Sequence, residues 1–216
     1  MSMPPPPDWA LVIPVKPLDR AKSRLAGLAG PRRGELALAM AADTVSALLA
    51  CPAVAVAIVV TDDPAAAAEL GALGAVVIPD RPAAGLNPAV ELGARHAAQR
   101  WPGRGRAALA ADLPALRPAE IGAALAAARA WPAAFVADAA GTGTTLYAAG
   151  PGSEFRPAFG PGSAARHAGG GAVELDLAGI AGLRRDVDTA EDLEQAAALG
   201  LGPRTAAVAA HILTRQ

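Results

Sequence analysis

Cysteine is nearly absent. Cys51 stands alone among 216 residues, which excludes an internal disulfide framework. With three histidines beside it, it gives a poor supply of zinc ligands. Charge is sparse too: 18% of residues are charged, 53% are hydrophobic and the net charge is −1. No basic block is present to track a nucleic-acid backbone, so no nucleic-acid partner is expected. No apolar run reaches membrane-spanning length without a charge, proline or glycine, which excludes a membrane role. The opening Met1-Ser-Met-Pro-Pro-Pro-Pro7 has neither a charged n-region nor an apolar h-region, so a soluble cytoplasmic protein is expected. Two nucleotide signatures are missing. Without G-x-G-x-x-G a dinucleotide-binding dehydrogenase is disfavoured, and without G-x-x-x-x-G-K-[ST] a P-loop NTPase is. Repeats, dividing linkers and a convincing Ser-His-Asp or Cys-His arrangement are also lacking. One domain over residues 1–216 is the expectation, with residues 1–8 disordered.

What is present centres on Gly105-Arg-Ala-Ala-Leu-Ala-Ala-Asp112-Leu-Pro114. Small apolar residues run into a lone carboxylate, and Pro114 stops any strand because it cannot donate to a ladder. Pro118 opens a helical run over residues 119–130. The spacing predicts a buried parallel strand, a turn and a covering helix. Asp112 would then reach the carboxyl edge of the sheet, where open α/β folds bind ligands. A helix or turn cap is its plainer role.

Further strands are expected at residues 9–15, 54–60, 74–79, 133–137 and 183–189, with helices at 32–49, after Pro64, at 89–100 and up to Leu199. This alternation gives a three-layer α/β sheet. Asp62, Asp80, Asp112, Asp186 and Asp188 fall at or just past strand ends. Asp63 before Pro64 reads as a helix N-cap, and Asn87 before Pro88 as a helix start. Asp186 and Asp188, at i and i+2 of an extended segment, would share one face. Such a pair repels unless a cation intervenes, and metal ligation competes there with ordinary turn roles. Thr189-x-x-Asp192 reads as a capping pattern, Gly200 as a helix stop, and the tail from Leu201 as a last surface helix.

Four cations, Lys16, Arg20, Lys22 and Arg24, crowd the loop after the first strand. They read as a side-chain phosphate grip or as a solvated loop. Gly141-Thr-Gly-Thr144-Thr reads as a tight hairpin or as a lining for an anion. Ser163 would cap a helical turn whose free N–H groups attract phosphate or carboxylate. His167 reads as a structural polar residue or a ligand contact. Acids for Mg²⁺ and cations for phosphate on one sheet edge point to nucleotidyl or phosphoryl transfer. Hard oxygen donors favour magnesium as the cofactor.

These motifs together resemble the guanylyltransferases of deazaflavin coenzyme F-420 biosynthesis, which act on phosphoenolpyruvate or 2-phospho-L-lactate. The resemblance rests on Val-Ile-Pro-Val-Lys16 with Ala21-Lys22-Ser-Arg24-Leu, Val-Val-Thr-Asp62, Leu86-Asn87-Pro-Ala and Ala-Asp112-Leu-Pro. It continues in Phe-Val-Ala-Asp138 with Gly-Thr-Gly-Thr144, Phe-Gly160-Pro-Gly-Ser163-Ala-Ala-Arg-His167 and Asp186-Val-Asp188-Thr189. Gly162 departs from the pattern, which has an acidic or amide residue between that proline and serine.

The resemblance implies a GT-A-like (Rossmann-like) nucleotidyltransferase fold with a mixed, mostly parallel sheet. It implies GTP and a phosphorylated three-carbon acid as partners, in a monomer or homodimer. Asp112, Asp186 and Asp188 would hold Mg²⁺. Lys16, Lys22 and Arg24 would grip the triphosphate, with Asp112, Lys16 and Lys22 as the catalytic set. Thr61, Asp80, Gly85, Leu86 and Asn87 would face the nucleoside, and Thr144, Gly160 and Ser163 the acceptor acid. The alanine-rich chain resembles the actinobacterial members, which makes phosphoenolpyruvate the expected acceptor. Two rivals remain: a related enzyme acting on a sugar phosphate or a molybdopterin, and a non-catalytic GTP-binding module.

Overall fold

The apolar runs form the strands of one sheet. The computed structural model describes residues 8–19, 22 and 25–213. Residues 1–7, Arg20 and Arg24 therefore lie outside the described residues. Asp8 donates its N–H to Ala53 O at 3.1 Å, and its carboxylate pairs with Arg129.

The strands are β1 (Trp9–Pro14), β2 (Val54–Val60), β3 (Val76–Ile78), β4 (Gly105–Leu109), β5 (Ala133–Ala137), β6 (Thr144–Ala149) and β7 (Val173–Glu174). Their order in the sheet is β3-β2-β1-β4-β6-β5-β7. β1 pairs in parallel with both β2 and β4, whereas β6 runs antiparallel to β4 and β5. The sheet is therefore mixed and mostly parallel.

Side chains of β1 alternate between two helical layers, as strand geometry requires. After the one-turn helix α1 (Ala26–Ala29), Val45 and Leu48 of α2 (Arg33–Leu49) pack in one cluster with Leu11 and Ile13, Leu70 of α3 (Pro64–Ala72) and Ile121 of α5 (Pro118–Ala128). Ala10 and Val12 face the other way, onto α4 (Leu86–Arg100). Leu11 is fully buried, so Leu11→Ala would cost about 2–5 kcal/mol. Gly93 lets α4 lie this close. A Cβ there would sit 2.3 Å from Val12 Cγ1.

Asp63 caps α3 as expected, accepting the N–H groups of Ala65 and Ala66. It also accepts Leu18 N–H at 2.9 Å, which pins the cationic loop to the sheet edge. The Thr189–Asp192 capping box opens α8 (Ala190–Leu199), and Gly200 ends it.

The tail forms α9 (Pro203–Leu213), which is more than a surface helix. Asp43, buried in α2, accepts Thr205 N–H at 2.7 Å and Arg204 N–H at 3.2 Å. Ile212 packs with Leu36, Met40 and Leu193.

One expected strand is absent. Residues 183–189 begin in the short helix α7 (Ala181–Arg184), and residues 185–188 form no ladder. Val187 N–H does reach Asp112 O at 3.1 Å. Leu113 N–H is taken by Thr44 Oγ1 and Pro114 has none to give, so the pairing cannot extend.

Candidate active site

β4 ends at Leu109, and Asp112 stands on the irregular segment just beyond it. Four contacts hold that segment. Ala110 N–H donates to Thr145 O at 2.9 Å, and Gly202 N–H to Pro114 O at 2.7 Å. Leu113 N–H donates to Thr44 Oγ1 at 3.1 Å, and Val187 closes the far side. The Asp112 carboxylate is thus presented at the carboxyl rim of the sheet by backbone fixed from both flanks.

Asp186 and Asp188 reach the same rim without being in a strand. Val187 is fully buried between them, so its two neighbours face the cleft. The turn preceding them is anchored by Glu120. One carboxylate oxygen of Glu120 accepts Gly182 N–H at 2.8 Å and the other accepts Arg117 N–H at 2.8 Å. A Cβ at Gly182 would lie 2.3 Å from Ala115 O, so glycine is required for that approach.

A cavity of about 640 Å³ lies over the rim. Its lining brings together Lys16, Lys22, Leu86, Asp112, Thr144, Gly160, Ser163, Asp186 and Asp188. Of the expected nucleoside neighbours, Leu86 is the one in this lining. Thr61 is buried, and its hydroxyl accepts Asp63 N–H at 3.1 Å. Asp80 lies outside the lining, where burial and then the charge of Asp62 push its carboxyl above the usual range. Gly85 is the N-cap of α4, with φ 115°.

Asn87 does mark the start of α4, but as its second residue and not as its cap. Its amide is spent across the cleft: Nδ2 donates to Phe159 O at 3.1 Å and Oδ1 accepts Phe159 N–H at 2.8 Å.

Ser163 is likewise the first helical residue and not the cap of α6 (Ser163–Gly169). Gly162 caps it in the left-handed region at φ 71°. That backbone accounts for the departure at Gly162. Asparagine and aspartate are the L-residues that tolerate it best, and glycine adopts it at no steric cost. The N–H groups expected to be free are partly used. Ser163 donates to Gly160 O at 3.0 Å and Ala164 to Thr142 O at 3.2 Å.

Electrostatically, two of the acids of the cleft share the ammonium of Lys22. Lys22 Nζ bonds to Asp112 and, at 2.8 Å, to Asp188 Oδ1. Burial pulls the Lys22 pKa down, but the charges of Asp112 and Asp188 outweigh it and hold the ammonium well above its usual value. Among the described residues Asp186 has no such ion pair. Burial first, then the charges of Asp112, Asp138 and Asp188, push its carboxyl up to about 7.

Asp138, which the sequence marks as part of the resemblance but gives no role at the site, joins the acids here. Its carboxylate accepts the N–H groups of Thr142 and Gly143 in the β5–β6 hairpin at 3.0 and 2.8 Å, and it lines the same cavity. The available signal was its place directly after a strand, the pattern that marked the other acids. Among the described residues, no three Asp, Glu, His or Cys side chains are grouped closely enough to cage a metal ion. Between Asp112 and Asp188 the ammonium of Lys22 fills the gap.

A mixed sheet with acids and lysines at its carboxyl rim defines a class, the nucleotidyltransferase fold. A nucleotidyl transferase from Methanothermobacter thermautotrophicus has the same architecture. The TM-score is 0.60 at 19% identity, covering 89% of this chain and 97% of that one.

The sequence is closer to another group. It is 64% identical over 204 residues to the phosphoenolpyruvate guanylyltransferase of Thermomonospora curvata, covering 94% of this chain and 90% of that protein. It is 57% identical over 210 residues to the protein of the same name from Streptomyces scabiei, covering 95% and 97%. A family model described as guanylyl transferase CofC like matches residues 9–205. The chain belongs to this CofC-like guanylyl transferase family and is a nucleotidyltransferase.

Proposed function

We propose that this protein transfers the guanylyl group of GTP to the phosphate of phosphoenolpyruvate, in the biosynthesis of coenzyme F-420. The observation that carries the proposal is the one cavity whose lining includes Lys16, Lys22, Asp112, Asp186 and Asp188 together with Thr144, Gly160 and Ser163. The names of the similar proteins support phosphoenolpyruvate as the acceptor.

In the proposed reaction an acceptor phosphate oxygen attacks the α-phosphorus of GTP. The bond from that phosphorus to the bridging oxygen breaks, releasing pyrophosphate and leaving enolpyruvoyl-2-diphospho-5'-guanosine. The acceptor oxygen is already anionic at neutral pH, so no catalytic base is needed. The barrier comes from bringing two anions together.

Lys16 and Lys22 lower that repulsion and stabilise charge growing on pyrophosphate, an effect of several kcal/mol. Thr144, Gly160 and Ser163 orient the acceptor so that attack is in line. The donor chemistry supports magnesium, because carboxylate oxygens are hard ligands and outnumber the ammonium groups here. Asp112, Asp186 and Asp188 would supply its carboxylate ligands, one or two of them alongside the substrate phosphates, since the three do not form a closed cage among the described residues. When bound, it supplies neutralisation of the phosphates.

Product analysis with an acceptor panel tests this reading. The guanylylated product should form with phosphoenolpyruvate and GTP, and far less with CTP. Product from 2-phospho-L-lactate alone would move the acceptor. Product from a sugar phosphate or molybdopterin alone would move the protein to a related enzyme. GTP binding with no product from any acceptor would make it a binding module.

A further inference from the structure

His167 is buried at 2% exposure, and both of its ring nitrogens are engaged. Ala158 N–H lies 2.8 Å from Nε2. A backbone amide can only donate, so Nε2 carries no proton. In a neutral ring the proton is then on Nδ1, which lies 2.9 Å from Thr144 Oγ1. Nδ1–H therefore donates to the hydroxyl oxygen, and the hydrogen of Thr144 must point elsewhere.

The ring cannot readily turn to reverse this. It stacks on Tyr147 at 4.6 Å and 22°, and Phe159 meets it edge-on at 5.4 Å. Burial and, after it, the charge of Arg166 lower its pKa to about 4, which keeps it neutral at pH 7.

We propose that His167, held as the Nδ1–H tautomer by Ala158, is a positioning residue that fixes the Thr144 hydroxyl as a hydrogen-bond donor into the cleft, toward an anionic oxygen of the acceptor. The inference rests on the acceptor reading of the Thr144, Gly160 and Ser163 wall. It extends that reading by giving the wall a polarity: a donor is presented, and an acceptor group there is excluded.

Two measurements test it. Nitrogen NMR of the histidine-labelled full chain should show His167 as a neutral Nδ1–H ring at pH 7. Steady-state kinetics should show that Thr144→Val and His167→Phe each raise the acceptor KM about tenfold or more, with the GTP KM within about twofold. The double variant should be no worse than Thr144→Val alone, because His167 acts through that hydroxyl. A purely structural histidine would add its loss to that of Thr144→Val. An Nε2–H ring, or additive losses in the double variant, would overturn the inference. The NMR result decides it even if His167→Phe fails to fold. Absence of transfer by the wild type to any three-carbon phospho-acid would instead overturn the functional reading.

Discussion

Asn87 grips Phe159 with both ends of its amide, accepting the N–H at 2.8 Å and donating to the carbonyl at 3.1 Å. The start of α4 is thereby clasped to the loop that carries Gly160. Asn87→Ala removes two hydrogen bonds, about 2 kcal/mol together. The acceptor KM should rise about 30-fold, with the GTP KM within about threefold. Kinetics with each substrate varied in turn checks this. A loss falling mainly on GTP would return Asn87 to the nucleoside.

Lys22 is the ammonium shared by Asp112 and Asp188. Lys22→Met leaves those carboxylates without their shared cation and removes the cation proposed to grip the phosphates. Loss of one such group typically costs about 10²–10³ in rate, and kcat/KM for GTP should fall by that much. Asp112→Asn should abolish turnover while circular dichroism stays native. Undiminished turnover in Asp112→Asn would remove that residue from the chemistry.

Acid should destabilise the protein through His167. Its folded pKa, about 4, lies below the ordinary 6.5, with burial the main cause and Arg166 the charged neighbour. Tyr147 faces the ring by stacking and stays neutral in acid. The unfolded chain binds the proton first, so this contribution is complete above pH 6.5 and is lost as pH falls toward 4. At 1.36 kcal/mol per unit the full loss is about 3 kcal/mol. Denaturant midpoints at pH 7, 5.5 and 4.5 should fall more steeply for the wild type than for His167→Phe. Parallel curves would contradict the assignment.

Gly182 sets the turn that delivers Asp186 and Asp188. A Cβ there meets Ala115 O at 2.3 Å and Glu120 Oε2 at 2.6 Å. Gly182→Ala should destabilise the fold by about 1–3 kcal/mol and lower kcat as the two acids shift. Thermal melts and turnover numbers on the same preparation test both. Wild-type values for the Gly182→Ala variant would mean that the turn yields easily.

Local signals in the sequence carried much of the fold. The β-branched run at residues 54–60 is β2, and Thr189 with Asp192 builds the capping box that the pattern announced. The strand ahead of Asp112 ends at Leu109, before Pro114 is reached, so the proline is not what stops it. Long-range hydrogen bonds could not be read. Asn87 beside Pro88 has a perfectly good local explanation, and only the folded chain puts Phe159 against it. Alternation favours a strand for Asp186 and Asp188, yet their segment forms no ladder. Their shared face survives for a different reason, the burial of Val187 between them. Asp138 was hidden by the hairpin whose N–H groups it accepts, since a turn role already accounted for it. The tether between Asp43 and α9 joins residues about 160 positions apart, and no local pattern marks it.

The most direct test of the central claim follows a label at the α-phosphorus of GTP. In the presence of Mg²⁺ and phosphoenolpyruvate, the label should move into a guanosine diphosphate-linked acid, with one pyrophosphate released for each label transferred. Label that stays in GTP, or leaves only as free GMP, with every three-carbon phospho-acid supplied, would contradict guanylyl transfer as the function of this cleft.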